Sequence, residues 1–366
     1  MPSVRRDSPV HRPNTLGSQP LPRIDTRQFL ALTDGTGMIQ HATFGAPDHH
    51  HGYCVDDNCR ALLAAVLHAH ICGYDEQLVP LQRYLAFVSY GFNAEAGRFR
   101  NFMSYERKWL EDVGSEESQT RSIWALGVTV RLAPNDSIRG LAERLFLQAL
   151  PAVEDLEHLR PWAYALLGME HYVKAGADDA AVRARMGTLA ARFFAMWQEN
   201  STDDWPWWDD TLTWGNAKLP NALLVAGDVL GDQDMVRAGL KSLKWLVELQ
   251  TAEKGHFSFI GNAGWYERGG TRAQFDQQPI EAQSLLQASL AAARVSGDES
   301  WVDVAWRSFR WFTGANDLGL ALYNAQTGGC HDGLQPGRVN WNQGAESTLA
   351  YLLSVLELHW TARARW

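Results

Sequence analysis

The chain has 366 residues, of which 46% are hydrophobic and 20% charged, and its formal net charge at pH 7 is −9. This composition excludes a wholly disordered chain, and the acidic charge argues against nucleic acid or an anionic membrane surface as a partner, because both need a basic face. Aromatic residues are abundant, with 16 tryptophans, 10 tyrosines and 14 phenylalanines. Such rings either fill a core or stack on the faces of sugars.

The first 23 residues predict a flexible tail outside the fold, because they hold five prolines and four arginines and lack the apolar core of a secretory signal peptide. No apolar stretch reaches the roughly 18 residues of a transmembrane helix. The four cysteines of this long chain indicate neither a disulfide framework nor a zinc site. We therefore expect a cytoplasmic protein with no bound metal and no cofactor.

Helical patterns dominate the rest of the chain, and two kinds alternate. Patterns that are apolar on all sides predict buried inner helices; they cover residues 61–67, 122–130, 162–169, 222–227, 285–293 and 348–356. Amphipathic patterns predict outer helices that face water; they cover residues 78–90, 137–150, 180–198, 233–250 and 299–313. Six inner helices ringed by outer ones predict an all-α (α/α)6 toroid, or six-hairpin barrel, as a single catalytic domain over residues 24–366.

The sixth outer helix is the least clear, and we assign it to the short segment 26–33. An open α-solenoid is the alternative, but it would need charged inner faces that the sequence does not show. Five long connections carry most polar and aromatic residues: 34–56, 92–117, 201–216, 251–278 and 313–342. Each leads into an inner helix, so in a toroid they gather at one end, where long loops usually form a site.

Carboxylates occur at these loop-to-helix junctions, in the motifs GYCVDDNCR, GSEESQTR, DWPWWDDTLTWGNAK, FDQQPIEA and NQGAESTL. A first-turn carboxylate can simply cap its helix, and Ser115 with Glu117 is close to a capping box. Capping does not explain so many carboxylates at one end. Because glycosidases use two carboxylates that flank the scissile bond, we expect Asp57 with Glu346 or Asp276 as the acid–base pair. The reserve candidates are Asp56, Glu117 and Asp209.

Cationic, amide and aromatic side chains accompany the carboxylates in the same motifs. Polar groups of this kind form hydrogen bonds with sugar hydroxyls, whereas flat rings stack on the apolar faces of a sugar. For the hydroxyl-binding role we expect Arg60, Arg121, Asn216, Lys218, Gln278, Glu281 and Asn342. For the stacking role we expect Tyr53, Trp207, Trp208 and Trp265.

The ordered motifs from DGTGMIQHATFGAPDHHHGYCVDDNCRAL to NQGAESTL resemble a bacterial (α/α)6-toroid family over about residues 28–358. Members of that family stand beside, or are fused to, family-4-type glycosyltransferases, and they occur near mannoside phosphorylases. The resemblance implies carbohydrate binding in the mouth of the toroid and a glycosyltransferase as a partner. The chain departs from the family pattern at Asp209, where glutamate is more usual, and at Gln119, where histidine is.

These observations predict a glycoside hydrolase that acts on a short, mannose-containing oligosaccharide. The first alternative is a sugar epimerase or isomerase on the same toroid, a chemistry that favours histidine near neutral pH; its candidates are His51, His256 and His331. The second alternative is a non-catalytic carbohydrate-binding partner of a glycosyltransferase, because a fold does not fix a function.

Overall fold

The structure is a computed structural model that describes residues 14–73, 81–176 and 179–364. These residues form twelve α-helices and several short strands. The helices are α1 (Arg27–Ala31), α2 (Val55–Cys72), α3 (Leu81–Gly91), α4 (Glu116–Leu132), α5 (Asp136–Ala149), α6 (Leu159–Lys174), α7 (Ala180–Asn200), α8 (Lys218–Leu230), α9 (Gln233–Leu249), α10 (Pro279–Ser296), α11 (Ser300–Phe312) and α12 (Ala345–Ala364). A 3-10 turn over Leu150–Asp155 follows α5.

Six helices form a closed inner ring in the order α2, α4, α6, α8, α10 and α12, and α12 packs back against α2. The inner helices are apolar and buried along most of their length, as the charge-free patterns predict. Helices α3, α5, α7, α9 and α11 pack outside the ring, each on the inner helix before it, and the short α1 packs against α12. The expected (α/α)6 toroid is therefore confirmed.

The inner helices α4 and α6 cross at close range through two glycines. A Cβ atom added to Gly127 would lie 2.2 Å from the carbonyl oxygen of Gly168. Only a residue without a side chain allows the two backbones to approach this closely. The pair sets the spacing of this sector of the ring. No described helix has the length and apolar character needed to cross a membrane.

The chain before α1 differs from the expected tail. Strands β1 (Thr15–Leu16) and β2 (Gln19–Pro20) form a hairpin, and the buried Leu16 packs in the main core. The indole N–H of Trp306 donates to the Leu16 carbonyl at 3.1 Å. Residues 14–23 are therefore part of the packed structure, because an apolar side chain and a backbone hydrogen bond hold them. Residues 1–13 of the predicted tail lie outside the described residues.

The remaining strands are short antiparallel pairs within the connections. They are β3 (Ile39–Thr43), β4 (Ala46–Cys54), β5 (Phe92–Asn93), β6 (Arg98–Phe99), β7 (Phe102–Met103), β8 (Thr211–Leu212), β9 (Tyr266–Glu267), β10 (Tyr323–Asn324), β11 (Gly329–Cys330), β12 (Gly333–Gln335) and β13 (Arg338–Asn340). Strands β3, β4 and β7 form one sheet, and β4 runs directly into α2. This sheet fixes the start of α2, where Cys54 caps the helix by accepting from the Asp57 N–H.

Candidate active site

Two adjoining cavities open where the inner helices begin. Their volumes are about 420 and 280 Å³. Each takes part of its lining from the first turns of α2 and α12 and from the loop before α10. The two cavities share the lining residues Asp56, Arg60, Asn101, Gln278 and Glu346. The site therefore lies at the end of the toroid where the sequence places the long connections.

Arg60 is the centre of a buried charge network. Its Nη1 lies 2.6 Å from Asp57 and 3.1 Å from Asp56, and its Nη2 lies 2.6 Å from Glu346. The three residues of α2 come together because positions three and four apart share one face of a helix. Glu346 reaches the same guanidinium from the first turn of α12.

Arg121 extends the network to the far wall of the larger cavity. Its Nε lies 2.7 Å from Asp56 Oδ1, an ion pair in which the N–H does not point at the oxygen. It also lies 3.1 Å from Glu117, one turn earlier on α4, and its guanidinium lies 4.4 Å over the Tyr164 ring. Two arginines thus contact four carboxyl groups, those of Asp56, Asp57, Glu117 and Glu346.

Burial separates the acidities of these carboxylates. It raises the pKa of Asp57 to about 6 although Arg60 opposes the shift, and it also raises the pKa of Asp56 against the pull of Arg121 and Arg60. At Glu117 burial acts in the same direction, but Arg121 outweighs it and the pKa is lowered. A carboxyl group that keeps its proton up to about pH 6 beside one that stays ionised is the arrangement that acid–base catalysis needs.

Trp214 and Trp265 form the aromatic wall of the larger cavity, with ring centroids 5.9 Å apart. The Trp214 indole donates to Glu117 at 3.4 Å, and the Arg160 guanidinium lies 4.3 Å over the Trp214 ring. Trp265 has a φ of +56°, a left-handed conformation that is unusual for a bulky residue. The wall is thus fixed and presents flat rings to the cavity.

The structure brings together about half of the residues singled out in the sequence. Those that line the cavities are Asp56, Asp57, Arg60, Glu117, Arg121, Trp265, Gln278 and Glu346. Three expected stacking residues are placed elsewhere. Trp207 and Trp208 are 0% exposed and pack in the core, and the Trp208 indole donates to the carbonyl of Phe193 at 3.0 Å. Tyr53 is also buried, and its hydroxyl donates to Asp34 at 2.6 Å. None of the three rings can meet a sugar.

Several expected polar contacts are also satisfied within the protein. Glu281 accepts from the backbone N–H of Gly215 and, at 3.1 Å, from the amide of Asn216, so this pair anchors the loop before α8. Burial raises the pKa of Glu281 to about 7. Lys218 is buried within the ring, where it donates to Gln287, and burial lowers its pKa to about 7.

Three further candidates lie outside the linings of both cavities. The amide oxygen of Asn342 accepts from the Phe44 N–H at 2.9 Å and so holds the tip of the β3–β4 hairpin. Asp209 accepts from the Thr211 N–H at 3.1 Å within its own loop. Asp276 has a buried Oδ1 with no hydrogen-bond partner among the described residues, but it does not line either cavity. Of the two expected partners of Asp57, Glu346 lines the smaller cavity with it and Asp276 does not.

Sequence reasoning missed several residues of the cavities. Asn101 lines both, yet a lone asparagine in a loop gives no signal. His41 and Asp332 line the smaller cavity beside Glu346. Trp214 belongs to the tryptophan-rich motif DWPWWDDTLTWGNAK, so the motif could have indicated that it lines the site.

Neither cavity is lined by any of the three histidines expected for an epimerase, which are His51, His256 and His331. His256 lies 2.8 Å from Asp317, and His331 lies 3.3 Å from the carbonyl of Trp341. Among the described residues, no group of three or more His, Cys, Asp or Glu is placed to hold a metal ion.

Comparison with known proteins identifies the fold and not the family. No family model matches the sequence, and no curated protein matches it. A cellobiose 2-epimerase from Bacillus thermoamylovorans superposes with a TM-score of 0.70 at 13% identity, over 90% of this chain and 95% of that chain. For a D-mannose isomerase the TM-score is 0.66 at 11% identity, over 93% and 96%.

A third similar structure is an inactive variant of an α-1,6-mannanase of Salegentibacter in complex with α-1,6-mannotetrose. Its TM-score is 0.60 at 11% identity, over 92% of this chain and 96% of that chain. At such low identity these likenesses show that the chain shares the toroid. They do not identify a reaction.

Proposed function

We propose that this protein is a glycosidase that cleaves a short, mannose-containing oligosaccharide in the two adjoining cavities. The observation that carries the proposal is that Asp57 and Glu346 bind the two terminal nitrogens of one guanidinium and both line the smaller cavity. Each carboxylate oxygen lies 2.6 Å from its own nitrogen. Because the two nitrogens of a planar guanidinium are about 2.3 Å apart, the oxygens can be no more than about 7.5 Å apart.

This upper limit is compatible with the separations that glycosidases use, which are about 5–5.5 Å for retaining and about 6.5–9.5 Å for inverting enzymes. The two carboxylates also differ as the reaction requires. Asp57 is buried, and its raised pKa suits a proton donor to the leaving oxygen. Glu346 has a side chain that is 42% exposed, so it can reach a water molecule or a sugar carbon. We assign Asp57 as the acid and Glu346 as the base or nucleophile.

The cavity walls suit a sugar. Trp214 and Trp265 offer flat apolar faces, and Asn101 and Gln278 offer amide groups that can both donate and accept. The mannanase that shares the toroid is inactive when two consecutive aspartates are replaced by alanine. This chain also has consecutive aspartates at the site, Asp56 and Asp57. We also propose, from the sequence, that the protein is cytoplasmic and has a glycosyltransferase as a partner.

The test is turnover of a panel of α- and β-linked mannobioses, mannotrioses and matched glucosides, followed by reducing-sugar release and NMR. We expect Asp57→Asn and Glu346→Gln each to lower kcat by about 10²–10⁴-fold, the range for loss of an acid–base group. Asp209→Asn is the matched control, because Asp209 lies outside the cavities. Full turnover in Asp57→Asn or Glu346→Gln would contradict the assignment. Sugar binding without turnover by the wild type would favour a non-catalytic partner.

A sugar epimerase or isomerase is the second candidate, and His41 favours it. This histidine lines the smaller cavity close to Glu346 and Asp332, and burial lowers its pKa, so it is neutral and able to accept a proton. The epimerase and isomerase described above also share the toroid. Incubation with mannose, glucose and cellobiose in D₂O separates the reactions. Deuterium at C2 without bond cleavage, lost in His41→Gln, would favour this candidate over hydrolysis.

A further inference from the structure

A separate cavity of about 450 Å³ lies inside the ring towards the C-terminal ends of the inner helices. Arg131, Arg294 and Trp360, which line it, stand in the last turns of α4, α10 and α12. Its volume is close to the 420 Å³ of the larger cavity at the other end and falls in the range of ligand sites. The indole of Trp124 reaches both regions, since it lines this cavity and a small gap beneath Arg60 and Arg121. The two ends of the toroid therefore hold distinct spaces.

The walls of this cavity combine apolar and charged side chains. Leu167, Val225 and Leu290 come from three inner helices, the rings of Trp124 and Trp360 stand beside them, and the charged lining residues are Arg131, Glu170, Arg294, Glu299 and Glu357. The apolar part of the wall favours a ligand with an aromatic or branched aliphatic body.

One polar side chain in the lining has no partner on the protein. Asn221 is only 5% exposed, and its Oδ1 is buried without a hydrogen bond among the described residues. A buried acceptor of this kind costs about 1–3 kcal/mol when it is unsatisfied. A bound molecule with a hydrogen-bond donor would satisfy the Oδ1 of Asn221.

Arg131 has no carboxylate within 4.0 Å among the described residues. Burial lowers its pKa, although Glu170 and Glu357 in the same lining oppose the shift. Glu170 lies 2.9 Å from Lys174 and 3.3 Å from Arg294. Arg131 itself contacts the ring nitrogen of His171 at 3.3 Å, and its guanidinium lies 5.4 Å over the Trp360 ring. Burial lowers the pKa of His171 to about 4, so that ring is neutral and can accept a hydrogen bond from Arg131. The guanidinium is therefore a half-buried cation without a direct ion pair among the described residues.

We propose that this cavity binds a small organic carboxylate with an apolar body and one hydroxyl or amino donor. The carboxylate pairs with Arg131, the donor reaches Asn221, and the body lies between Trp360 and the aliphatic wall. The site is separate from the proposed glycosidase centre and does not depend on that function being right.

The probe is 3-phenyllactate, which carries all three features, and binding to the full-length protein is measured by titration calorimetry and ligand-detected NMR. Two analogues each remove one feature, since 3-phenylpropionate lacks the hydroxyl and the amide of phenyllactate lacks the charge. We expect phenyllactate to bind about 3–10-fold more tightly than phenylpropionate and about 10–100-fold more tightly than the amide. Equal affinities for the three, or no binding of phenyllactate at millimolar concentration, would overturn the proposal.

Substitutions test which residue recognises the carboxylate and which recognises the hydroxyl of phenyllactate. Arg131→Met should abolish the preference for phenyllactate over its amide, whereas Arg144→Met, on the exposed face of α5, should leave that preference unchanged. Asn221→Leu should abolish the preference for phenyllactate over phenylpropionate and should not lower the melting temperature, because it removes an unpartnered acceptor. If the preferences survive in both variants, or if mannobiose displaces phenyllactate, the probe binds elsewhere and the proposal fails.

Discussion

Replacing Asp57 with asparagine should stabilise the protein more at neutral pH than at acid pH, even as it removes the proposed acid. Burial raises the pKa of Asp57 from 3.8 to about 6. A group whose pKa is raised in the folded state contributes stability that is fully present below its unfolded pKa and is lost as the pH rises through the folded pKa. At 1.36 kcal/mol per pH unit, the whole shift corresponds to about 3 kcal/mol, most of which the wild type loses between pH 4 and pH 7.

Asparagine does not titrate in this interval, so the variant lacks that loss. Whatever constant effect the substitution has, the stability difference between Asp57→Asn and the wild type should grow by about 2–3 kcal/mol between pH 4 and pH 7. The lower figure allows for protons that Asp56 takes up in place of Asp57, because neighbouring carboxylates titrate together.

The assay is urea denaturation at pH 4, 5, 6 and 7, with free energies of unfolding from linear extrapolation. Asp210→Asn is the matched control, because the Asp210 side chain is 75% exposed, and its difference from the wild type should stay flat. A difference that is constant for Asp57→Asn, or that shrinks as the pH rises, would refute the reasoning. It would mean that Arg60 stabilises the Asp57 carboxylate more than burial destabilises it.

Three other pairs of substitutions test the packing and the charge network. Arg60→Met should lower the free energy of unfolding by about 3–5 kcal/mol at pH 7, because it leaves buried carboxylates unpaired, and Arg60→Lys should lose less; urea denaturation measures both. Trp208→Ala should cost about 3–5 kcal/mol because its ring fills the core, whereas Trp214→Ala should cost less and instead raise KM for the oligosaccharide. Gly127→Ala should lower the melting temperature because its Cβ would overlap a carbonyl of α6, while Gly140→Ala, in open space on α5, should raise it; equal effects would contradict the close crossing.

The toroid could be predicted because its signal is repeated along the chain. Each buried helix is apolar on all sides and each outer helix on one side, and alternation of the two leaves few other arrangements. The N-terminal hairpin could not be foreseen. Its place depends on Leu16 and on a hydrogen bond from Trp306, far away in the sequence.

Cavity residues could be predicted from the sequence where they lie close together in one helical turn and belong to one motif. Asp56, Asp57 and Arg60 are neighbours on α2, so the sequence already brings them together. Trp207 and Trp208 show the limit of this reasoning, since composition cannot distinguish a ring that fills the core from one that lines a cavity. Asn342 shows another, because its partner is a backbone N–H in a distant hairpin. Whether the carboxylates that do meet in the cavity perform catalysis stays a prediction.

The parallel direction of the six inner helices gives the toroid two electrically different ends. Backbone dipoles place partial positive charge where helices begin and partial negative charge where they end. The side chains follow this polarity, with acidic residues in the first turns of α2, α4, α10 and α12, and with Arg131 and Arg294 in last turns. Carboxylates thus stand where the helix dipoles favour anions, although burial still raises the pKa of Asp57 and Glu281. The ring can therefore concentrate carboxylates at one end and place arginines at the other without altering the helices that connect them.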